Sequence, residues 1–507
     1  MTLDPTREDL TIGIIGAGAM GRGIAQVSAT GGLSVKLFDA DTAAAEDARH
    51  FIGKMIHRLA EKGKLTDQEA ESAANRVETV NKLEALSECH LIVEAIVEDL
   101  DVKKSVFRDL EAIVDDTCIL ATNTSSLSVT AIAAACKKPE RVAGLHFFNP
   151  VPLMKLVEVV GGVMTEHWVI DALIAIGERM GRVPVAASDT PGFIVNHAGR
   201  GYGTEALQVV KENVADIADI DRIMTEAAGF RMGPFQLLDL TALDVSHPVM
   251  DSLYHQYYQE PRFRPTPLTK TRMDAGLYGK KVGRGFYDYE DGQAQIPPDH
   301  PTPDLQPQSV WISPADPAAR EALAEIVRKA EIPLEEGPTA SRNALCLIAP
   351  LGQDATSFCV EHGLDPKRTV AVDTLFGLSG RRTIMTTPLT PKEIAEQAHG
   401  LMGADGTSVS VIADSTGFVA QRIIANVINV ATDMAQQQIA APADIDKAVK
   451  LGLGYPKGPL EWCDELGAEK ILTILNNIHS LSGDPRYRPS PWLRRRAQLG
   501  ISLLSQS

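Results

Sequence analysis

An α/β domain built on a doubly wound parallel sheet, followed by an all-α domain, with the pair repeated in tandem, is the fold class that this 507-residue sequence predicts. Three observations predict it. The segment 1–190 alternates short apolar runs with longer amphipathic stretches. A glycine cluster, Gly16-Ala-Gly-Ala-Met-Gly21, follows the first apolar run. Short motifs from the segment 189–265 recur in the segment 414–489. The length exceeds what one hydrophobic core spans and suits three or four domains.

The elements follow in order. Thr11–Ile15, Val35–Phe38, Leu91–Val93, Ile119–Ala121 and Val142–Leu145 read as buried strands, and 42–62 and 102–114 as amphipathic helices. Such βα alternation implies a parallel sheet with helices on both faces, over residues 1–188. From Asp189 to 290 the pattern is helical, with a turn-rich stretch at 259–267. A proline-rich linker at 291–309 centres on Pro297-Pro-Asp-His-Pro-Thr-Pro303. Residues 310–413 read as a second α/β domain and 414–507 as a second helical one.

The repeat defines the second half. Asp189-Thr-Pro-Gly-Phe193 recurs as Asp414-Ser-Thr-Gly-Phe418, and Asp219-Ile-Asp221 as Asp444-Ile-Asp446. Gly233-Pro-Phe235 recurs as Gly458-Pro-Leu460, and Glu260-Pro-Arg-Phe-Arg-Pro265 as Asp484-Pro-Arg-Tyr-Arg-Pro489. The spacing is constant over the first three pairs and slips by a single position at the last. Upstream the match fades: Cys346-Leu-Ile348 resembles His90-Leu-Ile92, and Asp373 stands where His146 would. The stretch 310–413 has no GxGxxG, so it reads as a degenerate, non-nucleotide-binding copy of the first domain; an unrelated α/β spacer is the alternative.

Composition narrows the function. A formal net charge of -17 disfavours nonspecific binding to nucleic acid or anionic membrane. The six cysteines form no CxxC pair, which suggests reduced thiols and no metal site. The N-terminus is polar and acidic, and no apolar run reaches the roughly 20 residues a bilayer span needs. A cytoplasmic protein is expected.

The glycine loop has a mechanical reading. Gly16 permits a tight turn, Gly18 lets the backbone approach a pyrophosphate, and Gly21 allows close helix–strand packing. Ala19 and Met20 open the helix whose N-terminal N–H groups would face the phosphates. Asp39 ends the second strand, where a carboxylate bonds ribose hydroxyls; Ala40 and Asp41 follow it instead of an Arg, which favours NAD over NADP. This is a Rossmann-type dinucleotide site.

The reactive residues lie in Gly144-Leu-His-Phe-Phe-Asn-Pro150 and Lys155-Leu-Val-Glu158. An alcohol dehydrogenase needs a base for the hydroxyl proton and an acceptor for the hydride. His146, with an ordinary imidazole pKa of about 6.5, suits the base. Glu158, in the apolar run Leu156–Val160, is an expensive burial unless it is paired, and a carboxylate on the second ring nitrogen would fix the tautomer.

Gly13–Gly21, Asn123-Thr-Ser-Ser126, His146–Pro150, Lys155–Val159 and Thr190-Pro-Gly-Phe-Ile-Val-Asn196 together resemble the 3-hydroxyacyl-CoA dehydrogenases, in order and spacing over residues 11–290. The duplicated length resembles the bacterial branch that acts on 3-hydroxyadipyl-CoA in phenylacetate breakdown. The resemblance implies that His146 takes the 3-hydroxyl proton, that Glu158 charge-balances it, that Ser125 bonds the substrate oxygen at C3, and that Asn196 bonds either the substrate carbonyl or the catalytic His. It implies that Glu98 and Lys103 lie near the nicotinamide ribose and that Asn123 also binds the cofactor. Ser125 also reads as a helix N-cap before Leu127. The family usually has Arg after that Asn, where this chain has His197. Arg58 and Lys62, one turn apart, either meet the CoA phosphates or are solvated helix-face cations. Arg200, four residues after Asn196, either pairs with the distal carboxylate of a dicarboxylic acyl chain or is a surface or interface Arg.

The expected reaction is reversible NAD-linked oxidation of a (3S)-3-hydroxyacyl-CoA to the 3-oxoacyl-CoA. Rival readings are a butyryl- or general fatty-acyl dehydrogenase, a gulonate-type hydroxy-acid dehydrogenase, and an NAD-binding module without catalysis. The acyl-CoA is expected in the cleft between the first two domains. The second half, carrying Gln421 in place of Asn196, is expected to supply a pseudo-dimer partner within the chain, with further homo-oligomerisation possible.

Overall fold

The computed structural model describes residues 3–505. They fold as two compact units, one running to His197 and including Gln437–Gly454, the other comprising Ala198–Gln436 and Tyr455–Ser505. The segment Gln437–Gly454, read from sequence as part of the second helical domain, thus lies in the first unit.

The first unit holds an eight-stranded sheet: β1 (Thr11–Ile15), β2 (Ser34–Phe38), β3 (Val77–Val80), β4 (Leu91–Glu94), β5 (Ile119–Thr122), β6 (Val142–Phe147), β7 (Leu156–Gly161) and β8 (Val183–Ser188). The spatial order is β3-β2-β1-β4-β5-β6-β7-β8, so the topological switch falls between β1 and β4, beside the glycine loop. Helices α1 (Ala19–Thr30), α2 (Thr42–Glu61), α3 (Asp67–Asn75), α4 (Leu100–Glu111), α5 (Val129–Ala133) and α6 (His167–Arg179) connect the strands, and α7 (Val195–Ala198) follows β8. Central strands are apolar on both faces because both are covered: Ile12, Ile14, Leu91 and Val93 pack into one core, Ile92, Leu120, Phe107 and Leu110 into the other.

The sheet departs from the wholly parallel one expected from sequence. β7 runs antiparallel to β6, and β8 pairs parallel with β7. The connection from Phe147 to Leu156 holds no crossover helix, and without one a parallel return is impossible. Strands β3 and β8 escape the apolar-run reading because they are edge strands: β3 is partly exposed, and β8 carries Pro184, which an edge tolerates.

In the second unit, α8 (Arg200–Lys211), α9 (Ile217–Arg222), α10 (Pro234–Thr241), α11 (Leu243–Gln256) and α12 (Pro267–Asp274) lead to a short hairpin of β9 (Tyr289–Glu290) and β10 (Gln293–Ala294). The proline-rich segment beyond is pinned: the Arg222 guanidinium donates to the Pro297 carbonyl, and Asp299 pairs with Arg381. A six-stranded sheet follows, with β11 (Val310–Ile312), β12 (Leu334–Glu335), β13 (Leu345–Ile348), β14 (Thr369–Val372), β15 (Arg382–Thr386) and β16 (Val409–Ile412) in the order β12-β11-β13-β14-β15-β16. Only β14–β15 is antiparallel. Counted from that pair, β13 takes the place of β5, so the likeness of Cys346–Ile348 to His90–Ile92 is displaced by one strand.

This sheet carries α13 (Pro317–Lys329), α14 (Ala355–His362) and α15 (Lys392–Met402). Helix α16 (Val419–Gln436), almost wholly buried, packs on α8 and on α18 (Pro459–Leu466), α19 (Ala468–Ser482) and α20 (Pro491–Leu499). The remaining helix, α17 (Pro442–Leu453), belongs to the first unit, where it packs on β7 and β8. The Ser188 N–H donates to the Ile439 carbonyl at 2.8 Å.

Candidate active site

The glycine loop is built as its spacing requires. Gly16 has φ 100°, and a Cβ there would stand 2.5 Å from the Ala95 carbonyl oxygen. A Cβ on Gly21 would come within 1.8 Å of the Gly16 oxygen, so loop and helix close only on glycine. Gly18 is different: a Cβ there would meet nothing within 4 Å. It caps α1 without any side-chain hydrogen bond, and no acidic residue lies in the first turn where Ala19 and Met20 begin the helix. Unpaired N–H groups and open space over Gly18 form a cradle for an anionic pyrophosphate. Asp39, half-buried at the end of β2, accepts from Ala17 N at 2.7 Å and Asp41 N at 2.9 Å, so it shapes the loop. In the second unit the helix after β11 has no such cradle, because the Asp316 side chain caps Ala318 N and Ala319 N of α13.

Antiparallel pairing sets His146 on β6 directly opposite Glu158 on β7. Their side chains meet at 2.6 Å, Nδ1 to Oε2, and both are buried. The other carboxylate oxygen accepts from Ile194 N at 3.0 Å and Val195 N at 2.9 Å. The cost that the apolar run predicted for Glu158 is therefore offset by three donors. A carboxylate only accepts, so Nδ1 carries the proton and the basic lone pair is on Nε2. Phe148 and Phe193 fix the ring, with centroids at 4.5 Å and 5.7 Å.

The turn after β5 stands beside this pair. Asn123 accepts from Phe147 N at 2.8 Å, which ties the turn to the strand bearing His146. Ser125 is exposed at the carboxyl end of the sheet. It does not cap α5; Ser128 does, accepting from Ala131 N, so the N-cap reading of Ser125 is corrected. Glu98 gathers the turn: its Oε1 accepts from Thr124 Oγ1 (2.5 Å), Ser126 Oγ (2.8 Å) and the Ser125 and Ser126 N–H groups (3.2 Å each). Burial pushes the Glu98 carboxyl up, but the Thr124 hydroxyl, Lys103 and Ser126 outweigh it and hold it below its ordinary value.

Lys103 is buried, 2.6 Å from Glu94 and 3.3 Å from Glu98. Glu94, absent from the sequence-based candidates, spends its remaining capacity on Ile96 N and the Thr122 hydroxyl. Its signal was a carboxylate ending an apolar strand, the same signal that marked Glu158. Asn196 lies in α7, half-buried. Arg58 and Lys62, both exposed, line a groove of about 390 Å³ with Arg22, Phe51, Met55 and Leu153. Arg200 begins α8 in the second unit, where burial lowers its pKa against the opposing pull of Tyr455.

In the second sheet Asp373 directly follows β14, its N–H donating to the Thr383 carbonyl, and the two stand where His146 and Glu158 stand in the first. Asp373 accepts from Gln421 Nε2 and Leu375 N, both at 3.0 Å, and burial pushes its carboxyl up to about 6. This cluster has neither an imidazole base nor a nucleotide cradle.

The NAD-binding-domain model of the 3-hydroxyacyl-CoA dehydrogenases matches residues 11–190, and the C-terminal-domain model matches 192–289 and again 417–502. The chain belongs to the 3-hydroxyacyl-CoA dehydrogenase family. It is an NAD-dependent oxidoreductase. It is similar to a 3-hydroxyadipyl-CoA dehydrogenase of Escherichia coli, 36% identical over 489 residues, covering 96% of this chain and 98% of that protein. A probable 3-hydroxybutyryl-CoA dehydrogenase of Bacillus subtilis is 41% identical over 278 residues, 55% of this chain and 96% of that one. The crystal structure of a 3-hydroxybutyryl-CoA dehydrogenase from Escherichia coli K12 matches with a TM-score of 0.85 at 36% identity, covering 97% of this chain and 99% of that one. The glycine loop and the His146–Glu158 pair of this dehydrogenase both lie within the segment that the NAD-binding-domain model matches. No helix among the described residues is long and apolar enough to cross a membrane.

Proposed function

We propose that this chain is a cytoplasmic enzyme that reversibly oxidises (3S)-3-hydroxyacyl-CoA thioesters, with 3-hydroxyadipyl-CoA as the preferred substrate, in the breakdown of phenylacetate. The observation that carries the reaction is the buried 2.6 Å contact between His146 and Glu158. His146 Nε2 takes the 3-hydroxyl proton, and Glu158 stabilises the resulting imidazolium through Nδ1–H. Ser125 donates to the oxygen at C3 and Asn196 to the thioester carbonyl. The glycine loop, Asp39, Asn123 and Glu98 hold NAD, which supplies the two-electron acceptor. Arg58 and Lys62 meet the CoA phosphates along the groove they line.

The acyl preference rests on a full-length relative named for adipyl-CoA and on Arg200, assigned here to the distal carboxylate. The second half is read as a degenerate duplicate that serves as an internal dimer partner. The double match of the C-terminal-domain model supports this, as do Asp189 and Asp414: each accepts from two N–H groups at the start of the matching helix, α5 or α14. A reciprocal exchange adds support, Arg262 donating to the Arg488 carbonyl and Arg486 to the Arg264 carbonyl, both at 2.8 Å.

NADH formation with 3-hydroxybutyryl-, 3-hydroxyhexanoyl- and 3-hydroxyadipyl-CoA and free L-gulonate tests the reading. The expected order puts adipyl-CoA first, with Arg200→Ala lowering its kcat/KM roughly 30-fold or more while sparing hexanoyl-CoA. Equal loss on both removes Arg200 from the pocket; preference for butyryl-CoA removes the dicarboxylate; activity on gulonate alone removes CoA.

A further inference from the structure

Helix α17 follows β8 in the chain only after the whole second sheet and α16, yet it belongs to the first unit and packs on β7 and β8. It comes close to that unit at Gly452. A Cβ there would stand 2.7 Å and 3.1 Å from the two γ-methyls of Val195, and 3.0 Å from a δ-methyl of Leu156. A helix disfavours glycine relative to alanine, so Gly452 costs the helix something that close approach must offset. Val195 cannot rotate away, because both branches of its stiff, buried side chain face the same spot. Its own N–H donates to Glu158 Oε1 at 2.9 Å, and Leu156 lies two residues before Glu158 on the same face of β7.

We propose that Gly452 is a positioning residue: by letting α17 seat directly on Val195 and Leu156, the second half of the chain sets where Glu158 stands, and through it His146. This rests on reading His146 and Glu158 as the catalytic pair. The degenerate half then has a task in catalysis that needs no site of its own. It supplies the wall against which the carboxylate is held.

The test is a cycle in the full-length protein: Gly452→Ala, Val195→Ala and both together, with His146→Gln as reference. Gly452→Ala is expected to lower kcat roughly three- to tenfold, since small misplacements of a catalytic group carry such penalties. KM for NAD should stay within about twofold, and the acid limb of the kcat/KM pH profile should move, because altered Glu158 geometry changes the affinity of His146 for its proton. Trimming Val195 makes room, so the double variant should match Val195→Ala alone. Should Gly452→Ala fold poorly, the double variant against Val195→Ala still reads the coupling. Wild-type kcat and pH profile in Gly452→Ala, or equal losses with and without Val195, would overturn the proposal. Activity in His146→Gln would instead overturn the catalytic pair itself.

Discussion

Lys103 and Glu94 form a buried pair, 2.6 Å apart, and a buried cation that loses either partner leaves an uncompensated charge. Lys103 also reaches Glu98, which holds the turn bearing Ser125, so its charge acts on Ser125 through Glu98. Lys103→Met should cost about 3–5 kcal/mol of stability through the orphaned Glu94. It should also lower kcat on the order of tenfold as the turn loosens. Denaturant titration and steady-state kinetics check this, and an unchanged kcat with weakened NAD binding alone would return Lys103 to direct cofactor contact. His146 and Glu158 were legible in the sequence because a carboxylate in an apolar run announces a hidden partner. Glu94 poses the same question, but its partner lies nine residues on, on a helix that reads as ordinary charged surface. Ser128 and Ser125 differ by three residues in one polar stretch, and only the start of α5 separates cap from candidate donor.

At the scale of elements, an acidic side chain closes the N-terminus of α10. Asp221 on α9 accepts from Phe235 N and Gln236 N and from the Tyr287 hydroxyl. Burial pushes its carboxyl up to about 7 from an ordinary 3.8, against the pull of those three donors. The folded state therefore holds a proton that the unfolded chain releases near 3.8. Stability from this group is full below that pH and is lost as pH rises towards about 7. Asp221→Asn keeps a neutral acceptor and should flatten that slope. It should be less stable than wild type near pH 4, by about 1 kcal/mol for the lost acceptor, and close or reverse the gap near pH 8. Melting curves at the two pH values decide it; parallel curves would mean Asp221 is ionised throughout. Strands β1, β2, β4, β5 and β6 were readable as apolar runs and α2 and α4 as amphipathic stretches, whereas the central strand β7, whose apolar run is interrupted by Glu158, was not read as a strand. Edge strands β3 and β8 were not, since half their surface is wet, and nothing in a helical period shows that α17 crosses into another unit.

For the whole molecule, the recurrence of short motifs between 189–265 and 414–489 was plain in sequence because the recurring residues are turn and cap residues that local geometry demands. Its asymmetry needed the structure. Arg422 of α16 is buried against Glu205 of α8 at 2.9 Å, with Tyr487 on the same oxygen and Glu212 at 2.5 Å. In the register of the repeat, Arg422 corresponds to His197, Glu205 to Val430, Tyr487 to Phe263 and Glu212 to Gln437, so the ion network has no mirror image in composition. Arg422→Met should destabilise by about 3–5 kcal/mol, leaving the buried Glu205 without the guanidinium that pairs it, whereas adding Glu205→Met should recover most of that loss. Denaturant midpoints measure both, and equal loss in single and double variants would show that packing, not charge, is what counts. The insertion of α17 also bears on how the protein is made. A unit that includes Gln437–Gly454 is incomplete when residue 197 leaves the ribosome. At roughly 5–20 residues per second, the first sheet waits on the order of 10–50 s for its last helix. During that interval β7 and β8 lack the helix that packs on them in the finished fold, which leaves this part of the nascent chain open to chaperones and to mispairing until α17 has been made.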